Sequence, residues 1–388
     1  MGKILILDGQ QRNVLSCVRS MGKAGHEVTV GSHKRDALCF GSRFAKKRFL
    51  YTDPAVKPEI FNQELVNHIK KNSYELVLPF IDSTTESMVK NQDIIKRFAP
   101  LLLPPRNAFE LAFDKAETFN LAKLLNIPIP ATWFPASLKE ASETAKNIEY
   151  PLIIKPRKSS GSRGLKIAKN FQDFKKKYAK TDEEYPNPII QEFIPLKEAV
   201  GFVSLYGRDN TLKAYCQHRR LHEYPLTGGP STLRETILDD RLTVFGTRLL
   251  DELSWQGPAM VEFRVDARDN IPKLMEINPR LWGSIALHIA AGINFPELIR
   301  MEAQGEKYDA VFFYKVGTRA KWFLPGELLY FLANLRHGKI CLDALKWRGD
   351  NQVLDILSSD DPMPAWVMMK NLFKSVFNLK TLKHSIFR

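Results

Sequence analysis

The sequence predicts an α/β domain with a parallel sheet, followed by a larger α+β region. Residues 3–8 (KILILD) and 26–32 (HEVTVGS) have the apolar character of buried strands, and a helical pattern lies between them. The stretch LLLPP at 101–105 ends this pattern of buried strands and helices. From residue 106 the sequence predicts short strands, turns and helices in alternation. We therefore predict domains at 1–105 and 106–305, with residues 306–388 as an aromatic, basic and helical C-terminal extension.

The N-terminal elements follow a β-α-β order. Apolar residues recur at helical spacing between 12 and 25, and Gly25 turns the chain into the second strand, so the two strands should be parallel. Residues 74–80 (YELVLPF) predict another buried strand, after which Asp82 or Ser83 would cap a helix. No G-x-G-x-x-G follows the first strand, so no dinucleotide site is expected.

The second region contains the segments on which functional predictions depend. Residues 107–125 and 236–254 predict helices, and a further helix lies within 281–304. Residues 150–170 predict strand, glycine-serine loop and strand, residues 188–195 another strand, and residues 201–220 antiparallel strands. Residues 258–279 predict a hairpin that turns at ARDN.

Bulk composition narrows the class of protein. The chain has 388 residues, 44% hydrophobic and 26% charged, which is typical of a folded protein with more than one core. Four scattered cysteines without a C-x-x-C pair predict a reducing, cytoplasmic setting and no structural zinc. The net charge of +14 suits nucleic acid, anionic membranes or phosphate-bearing ligands, but no nucleic-acid-binding signature is present, so none is expected as a partner.

The predicted hairpin carries the most specific pattern. A three-residue turn, 268–270, would place Glu262 directly opposite Glu276, with Asn278 on the same face. Two opposed carboxylates repel each other, and a divalent cation between them would reverse that cost. Carboxylate and amide oxygens suit Mg²⁺. The alternative is a solvent-exposed polar face that binds no ion.

Two lysines and a loop could provide phosphate contacts. Lys155 ends the apolar run PLIIK and should point toward a cleft, although it could equally protect a sheet edge. Lys115 begins a helix, where the dipole disfavours a cation, which is weak support for a ligand role. The loop KPRKSSGSRG could close over a polyphosphate or simply be a mobile basic turn. The segment IIQEFIP could present its backbone to an adenine ring.

Taken in order, Lys115, Lys155 with SSGSRG, QEFIP and the Glu262…EINPR pair resemble the ATP-grasp superfamily over residues 106–305. The spacing is similar to that of the carbamoyl-phosphate-synthase-like and carboxylate–amine ligase branches. The resemblance implies an ATP-grasp fold, in which two α+β lobes clasp ATP and the lid lobe spans about 120–195.

The resemblance also implies roles for individual residues. The residues implied to bind ATP are Lys115, Lys155, Ser159, Ser160, Gly161, Gly164, Gln191, Glu192, Phe193, Ile194 and Glu198. Glu262, Glu276 and Asn278 would bind Mg²⁺, with two ions expected and Mn²⁺ as a substitute. Arg280 and Lys155 would be catalytic. The residues expected to contact substrate are Arg219, Arg220, Gly228, Gly229, Arg12, Asp82 and Thr84.

The implied activity is ligation of a carboxylate to an amine through an acyl phosphate, with release of ADP and phosphate. A biotin-carboxylase-like carboxylase and a non-catalytic ATP-binding regulator remain alternatives, and a homodimer remains open. The basic C-terminal helix, with Trp366, Met369 and Phe373 on one face, could lie on the inner membrane surface. Packing of that aromatic face on the protein body is the favoured alternative.

Overall fold

The computed structural model describes residues 2–376 except 160, 162 and 227. The N-terminal region is built on four parallel strands in the order β3-β2-β1-β4, which confirms the predicted parallel sheet. These strands are β1 (Lys3–Ile6), β2 (Glu27–Ser32), β3 (Ala45–Leu50) and β4 (Leu76–Leu78).

Helices cover both faces of this sheet. They are α1 (Arg12–Lys23), α2 (Pro58–Lys71), α3 (Asp82–Lys90) and α4 (Gln92–Ile95). Because successive strand residues point to opposite faces, Ile4 packs with the α1 core and Leu5 with the α2 core. The predicted cap of α3 is wrong, since Ile81 occupies the N-cap position and Asp82 is the first helical residue.

A small antiparallel sheet follows two helices, α5 (Arg106–Phe113) and α6 (Lys115–Leu124). Its strands are β5 (Thr132–Trp133), β6 (Leu152–Lys155), β7 (Lys166–Ala168) and β8 (Ile189–Glu192), in the order β5-β8-β6-β7. Helices α7 (Leu138–Lys146) and α8 (Phe171–Glu184) pack on it around a core that includes Leu152, Ile154 and Phe174. This unit matches the predicted strand-loop-strand pattern of residues 150–170.

The central sheet has seven strands in the order β13-β12-β9-β10-β11-β14-β15. They are β9 (Leu196–Tyr206), β10 (Leu212–Glu223), β11 (Ser231–Thr236), β12 (Gly257–Asp266), β13 (Pro272–Asn278), β14 (Arg319–Lys321) and β15 (Gln352–Leu354). Helices α9 (Asp240–Glu252), α10 (Ile285–Ala290) and α11 (Phe295–Gln304) accompany them. Every pairing is antiparallel except that of β14 with β15.

The C-terminal extension is not only helical. It contains α12 (Leu328–Arg336) and α13 (Met363–Val376), but it also adds β14 and β15 to the central sheet. It returns to the N-terminal helix α1, where the buried Arg19 donates through Nε to Asp361 Oδ2 at 2.9 Å and through Nη2 to Ile356 O at 2.8 Å. Residues 1–105, 106–305 and 306–388 are proposed as structural units. Strands β14 and β15 join the third unit to the second.

Helix α13 packs on the body, but not through its aromatic face. Met368 is buried, whereas Trp366 and Phe373 are 70% and 59% exposed. The expectation that the aromatic face packs on the body is therefore wrong for these two residues. Among the helices described, none is long and apolar enough to cross a bilayer.

Candidate functional site

The hairpin of β12 and β13 places Glu262 directly opposite Glu276, as predicted. The predicted turn, however, is wrong: residues 267–271 connect the strands, and Val265 pairs with Pro272. If the pairing of Val265 with Pro272 continued along both strands without interruption, Glu262 would lie opposite Met275. A β-bulge at Met275 adds one residue to β13 and brings Glu276 into position.

Cationic side chains surround the two carboxylates. Arg220 Nη2 lies 2.5 Å from Glu262 Oε2, and Lys115 Nζ lies 3.2 Å from Glu276 Oε2. Asn278 Nδ2 donates to both, at 3.4 Å to Glu262 Oε1 and 3.3 Å to Glu276 Oε1. The protein thus offsets the repulsion between the carboxylates with its own charges.

The two carboxylates differ in acidity. Burial raises the pKa of Glu262, and the nearby Arg220 offsets only part of that rise. Burial acts in the same direction on Glu276, but the ammonium groups of Lys115 and Lys155 outweigh it and hold the pKa of Glu276 below its usual value. A negative charge therefore resides more readily on Glu276.

Lys155, at the end of β6, is buried against the hairpin. Its Nζ donates to Gln191 Oε1 at 2.6 Å and lies 3.8 Å from Met275 Sδ. Burial lowers the pKa of Lys155 to about 7, although the Glu276 carboxylate opposes this shift. Among the described residues, these contacts of Lys155 Nζ include no carboxylate, which suits a group that awaits an anionic ligand.

The glycine-serine loop between β6 and β7 is tied to the start of α6. Arg157 donates to both oxygens of Asp114, at 2.9 and 2.8 Å, and Lys115 Nζ donates to Ser159 O at 2.5 Å. Gly164 has φ +74°, and a Cβ there would lie 2.6 Å from Pro156 Cγ, so only glycine fits. Gly161 also has a positive φ, and Ser160 lies outside the described residues.

The segment after β8 is arranged around its backbone. The Glu192 carboxylate accepts from Ala131 N at 2.9 Å and from Arg268 Nη2 at 3.1 Å, so its side chain joins β8 to neighbouring turns. Phe193 is 38% exposed and Ile194 is buried. Within the described residues, the N–H of Ile194 donates to no other backbone group.

Arg280 connects the hairpin to the N-terminal sheet. Its Nε lies 2.5 Å from Asp82 Oδ1, and its Nη2 donates to Asn278 Oδ1 at 3.1 Å. Asp82 begins α3, just beyond the carboxyl end of β4. The predicted residues Arg220, Arg280 and Asp82 therefore adjoin the hairpin carboxylates. Gly229 joins this group through its carbonyl oxygen, which accepts from Arg220 Nη1 at 3.3 Å.

Other predicted residues lie elsewhere. Arg219 points to the face of β10 opposite Arg220, where it pairs with Glu235 at 2.7 Å and lies 3.8 Å from Glu198. Glu198 and Arg219 are thus across the sheet from Glu262, which argues against the implied ribose and substrate roles. To predict which face of the sheet a side chain occupies, one needs the register of its strand. The residue pattern of β9 and β10 does not reveal that register.

Two further substrate predictions are also corrected. Thr84 is buried, and its hydroxyl donates to Asp8 Oδ1 at 2.8 Å, so it supports the strand end rather than contacting a ligand. Arg12 pairs with Asp355 of the extension and stacks on Trp322, 4.3 Å from its ring centre. Gly228 lies beside Arg264, whose Nη2 would be 3.2 Å from an added Cβ.

Arg264 and Glu223 were missed by the sequence prediction. Arg264 lies two residues beyond Glu262 on β12, so it shares the face of the site, and that spacing could have revealed it. Burial lowers the pKa of Arg264 and raises the pKa of Glu223, which lies 3.7 Å from Arg220. Both belong to the charge network that holds Glu262.

The donor set fits Mg²⁺ bound jointly with phosphate. Glu262 and Glu276 supply carboxylate oxygens, and Asn278 could supply its amide oxygen after the amide turns over. In the part of the chain that the structure describes, no cluster of three His, Cys, Asp or Glu side chains could hold a metal alone. Ligand phosphate and water would therefore complete the shell, as is usual for Mg²⁺.

Comparison with known proteins agrees with this arrangement. The family model "Carbamoyl-phosphate synthase L chain, ATP binding domain" matches residues 114–194, and "ATP-grasp in the biosynthetic pathway with Ter operon" matches residues 226–323. The chain belongs to the ATP-grasp superfamily. The two matches cover the lysines with the glycine-serine loop and the paired carboxylates.

Solved structures share the ATP-grasp fold. Biotin carboxylase from Campylobacter jejuni superposes with a TM-score of 0.68 at 16% identity, covering 82% of this chain and 74% of that one. N5-carboxyaminoimidazole synthetase from Staphylococcus aureus gives 0.63 at 16% identity, with 82% and 80% coverage. At such low identity the likeness establishes the fold alone.

Curated relatives are distant in sequence. Mouse (Mus musculus) pyruvate carboxylase is 25% identical over 235 residues, 56% of this chain and 19% of that protein. The carbamoyl phosphate synthase large chain of Pyrococcus furiosus is 29% identical over 223 residues, 55% of this chain and 20% of that one. The ATP-grasp chain thus spans about a fifth of the length of these two relatives.

Proposed function

We propose that this ATP-grasp chain is an ATP- and Mg²⁺-dependent ligase that joins a carboxylate to an amine through an acyl phosphate. The observation that carries the proposal is the pair of opposed carboxylates, Glu262 and Glu276, bordered by Lys115, Arg220 and the buried Lys155. A site with this balance of charges suits transfer of a phosphoryl group, where positioning and neutralisation supply most of the catalysis.

The residues of the site divide the work between binding and neutralisation. Lys115 and Lys155 would contact the ATP phosphates, and the Ile194 backbone would contact the adenine. Glu262, Glu276 and Asn278 would hold one or two Mg²⁺ ions, with Mn²⁺ as a substitute. The bound metal would supply charge neutralisation on the phosphates.

Arg280, at the border of the hairpin and the N-terminal sheet, would neutralise the substrate carboxylate as it is activated. A carboxylate oxygen forms a bond to the γ-phosphorus while the bond to the ADP oxygen breaks. The amine nitrogen then attacks the acyl carbon, the bond to phosphate breaks, and the departing phosphate can take the proton that the amine loses. The glycine-serine loop would exclude water from the acyl phosphate.

Product analysis tests the reaction class. With a panel of amino acids and sugar acids plus amines, the enzyme should release ADP and phosphate only when both substrates are present. Hydroxylamine in place of the amine should give the hydroxamate of the true acid. Release of AMP and pyrophosphate would exclude an acyl phosphate.

A carboxylase is the second candidate, because biotin carboxylases are among the solved structures of the same fold. ATP cleavage that requires bicarbonate and is stimulated by biotin would favour it over the ligase. If the chain binds ATP but cleaves none in either assay, the result would instead favour a non-catalytic ATP-binding regulator. One of the solved biotin carboxylase domains is described as a dimer, and light scattering would show whether this chain also forms one.

A further inference from the structure

Arg264 carries an unpaired cation on the face of the hairpin site. It lies two residues beyond Glu262 on β12, and its side chain is partly buried. Within the described residues, its guanidinium takes part in no hydrogen bond and no ion pair. Its nitrogen atoms are not enclosed, because none of them is among the buried atoms that lack a partner. Arg264 thus presents accessible N–H donors on this face of the sheet.

The carboxylates near Arg264 are held by another cation. Glu262 Oε2 lies 2.5 Å from Arg220 Nη2, and Glu223 Oε2 lies 3.7 Å from Arg220 Nη1. Neither carboxylate forms an ion pair with Arg264, although both act on it electrostatically. Burial lowers the pKa of Arg264, because its charge is partly desolvated without a counter-ion in contact. An anionic group of a ligand would supply that counter-ion.

Strand β12 leads from the paired carboxylates to the segment proposed for adenine. At one end, Asp266 pairs with Leu196, so this end of the strand adjoins Ile194. Glu262 lies four residues before Asp266, which is about 13 Å along a strand. Arg264 is midway between them on the same face. A nucleotide with its base at Ile194 and its terminal phosphate at Glu262 would therefore pass over Arg264 with its ribose and first phosphate.

The loop that follows β10 leaves the guanidinium uncovered. Gly228 has φ +117°, and a Cβ there would lie 3.2 Å from Arg264 Nη2, closer than ordinary van der Waals contact. A Cβ at Gly229 would overlap Tyr224 O, so glycine is required at that position too. A larger side chain at 228 would cover the N–H donors of Arg264, and glycine keeps them open to a ligand.

The chemistry of a guanidinium suits a phosphate. Its planar N–H groups can donate two parallel hydrogen bonds to two oxygens of one phosphate. Lys155 is near enough to act electrostatically on the same group of charges, so two cations would face the nucleotide from the two sheets.

We propose that Arg264 binds the α-phosphate of the nucleotide, between the adenine at Ile194 and the metal at Glu262 and Glu276. This inference rests on the proposed ATP site, since the positions of the base and the metal define the path between them. Because AMP, ADP and ATP share this phosphate, Arg264 would contribute to the affinity for each of them.

Isothermal titration calorimetry of the full chain with Mg²⁺ tests this contact. ADP is titrated directly, and AMP and adenosine are measured by their displacement of ADP. Arg264→Leu should weaken AMP and ADP by the same factor, about tenfold or more, because a hydrogen bond to a charged group is lost. Adenosine lacks the phosphate and should bind both proteins equally. Arg264→Lys keeps the charge but not the paired donors, so its affinity for AMP should be intermediate.

Arg219→Leu is the matched control, because it removes the same charge from a nearby strand on the opposite face. It should bind AMP and ADP as the wild type does. The thermal unfolding midpoint without nucleotide shows whether each variant is folded, and Arg264→Lys decides the matter if Arg264→Leu is not.

The possible failures are distinguishable. Wild-type affinity for AMP in the Arg264 variants, an equal loss for adenosine, a loss for ADP alone, or the same loss in Arg219→Leu would overturn the contact with the α-phosphate. A wild-type chain that binds no ADP would overturn the ATP site itself, and the inference with it.

Discussion

Binding of ATP should draw a proton from solution onto Lys155. The pKa of Lys155 is about 7 in the free protein because the side chain is buried, so at pH 8 about 90% of its amine is neutral. A phosphate beside the amine favours the ammonium form. If the pKa then rises to about 9 or higher, binding takes up about 0.8–0.9 proton at pH 8 and about 0.5 proton at pH 7.

Calorimetry measures this uptake directly. A non-hydrolysable ATP analogue with Mg²⁺ is titrated at pH 8 in buffers of different ionisation enthalpy, and the slope of the observed heat against that enthalpy is the number of protons. Lys155→Met should abolish the uptake. Lys139→Met replaces an exposed lysine of α7 in the same lobe and should leave it intact. A slope of zero in the wild type, or an unchanged slope in Lys155→Met, would refute the proposed contact between Lys155 and phosphate.

Three other outcomes follow from the structure. Glu276→Gln should lower ADP release about 100-fold or more, whereas Glu198→Gln, across the sheet, should stay within about threefold in the same assay. Gly201→Ala should cost about 1–3 kcal/mol in urea unfolding, because its Cβ would lie 2.6 Å from an imidazole carbon, whereas Gly283→Ala, with no atom within 4 Å, should cost less than about 0.5 kcal/mol. The pKa of Lys155 is lower in the folded protein than its unfolded value of about 10.4, so folding becomes more favourable as pH rises. The unfolding free energy of the ligand-free protein should therefore increase by about 2 kcal/mol from pH 7 to 9. Lys155→Met should lack this increase.

Local patterns predicted the N-terminal sheet and the carboxylate pair. Apolar runs around a helix are enough to indicate parallel strands, and β1 and β2 are parallel. The pairing of Glu262 with Glu276 was predicted correctly from a turn that does not exist, since the bulge at Met275 compensates for the error. A one-residue bulge leaves no signal in apolar periodicity, so this agreement was partly fortuitous.

The features that the sequence did not predict depend on contacts between residues far apart in the chain. Arg12 was assigned to substrate, but its carboxylate partner, Asp355, lies near the other end of the chain. The strands β14 and β15 have three residues each, too few for an alternating pattern, and their structure depends on the pairing of β14 with β11 and of β15 with β14. The exposed aromatic face of α13 likewise depends on which side of the helix meets the body.

The contact of Arg19 with the C-terminal extension affects when the N-terminal region can complete its folding during translation. Arg19 is separated by 342 residues from Asp361, which also accepts from Ser42 Oγ and Arg43 N. At about 5–20 residues per second, a ribosome needs roughly 17–70 seconds to span that distance. Until then the guanidinium of α1 lacks the acceptors that it has in the finished protein. The contacts of α1 and of residues 42 and 43 with Asp361 can therefore form only after the extension has been made.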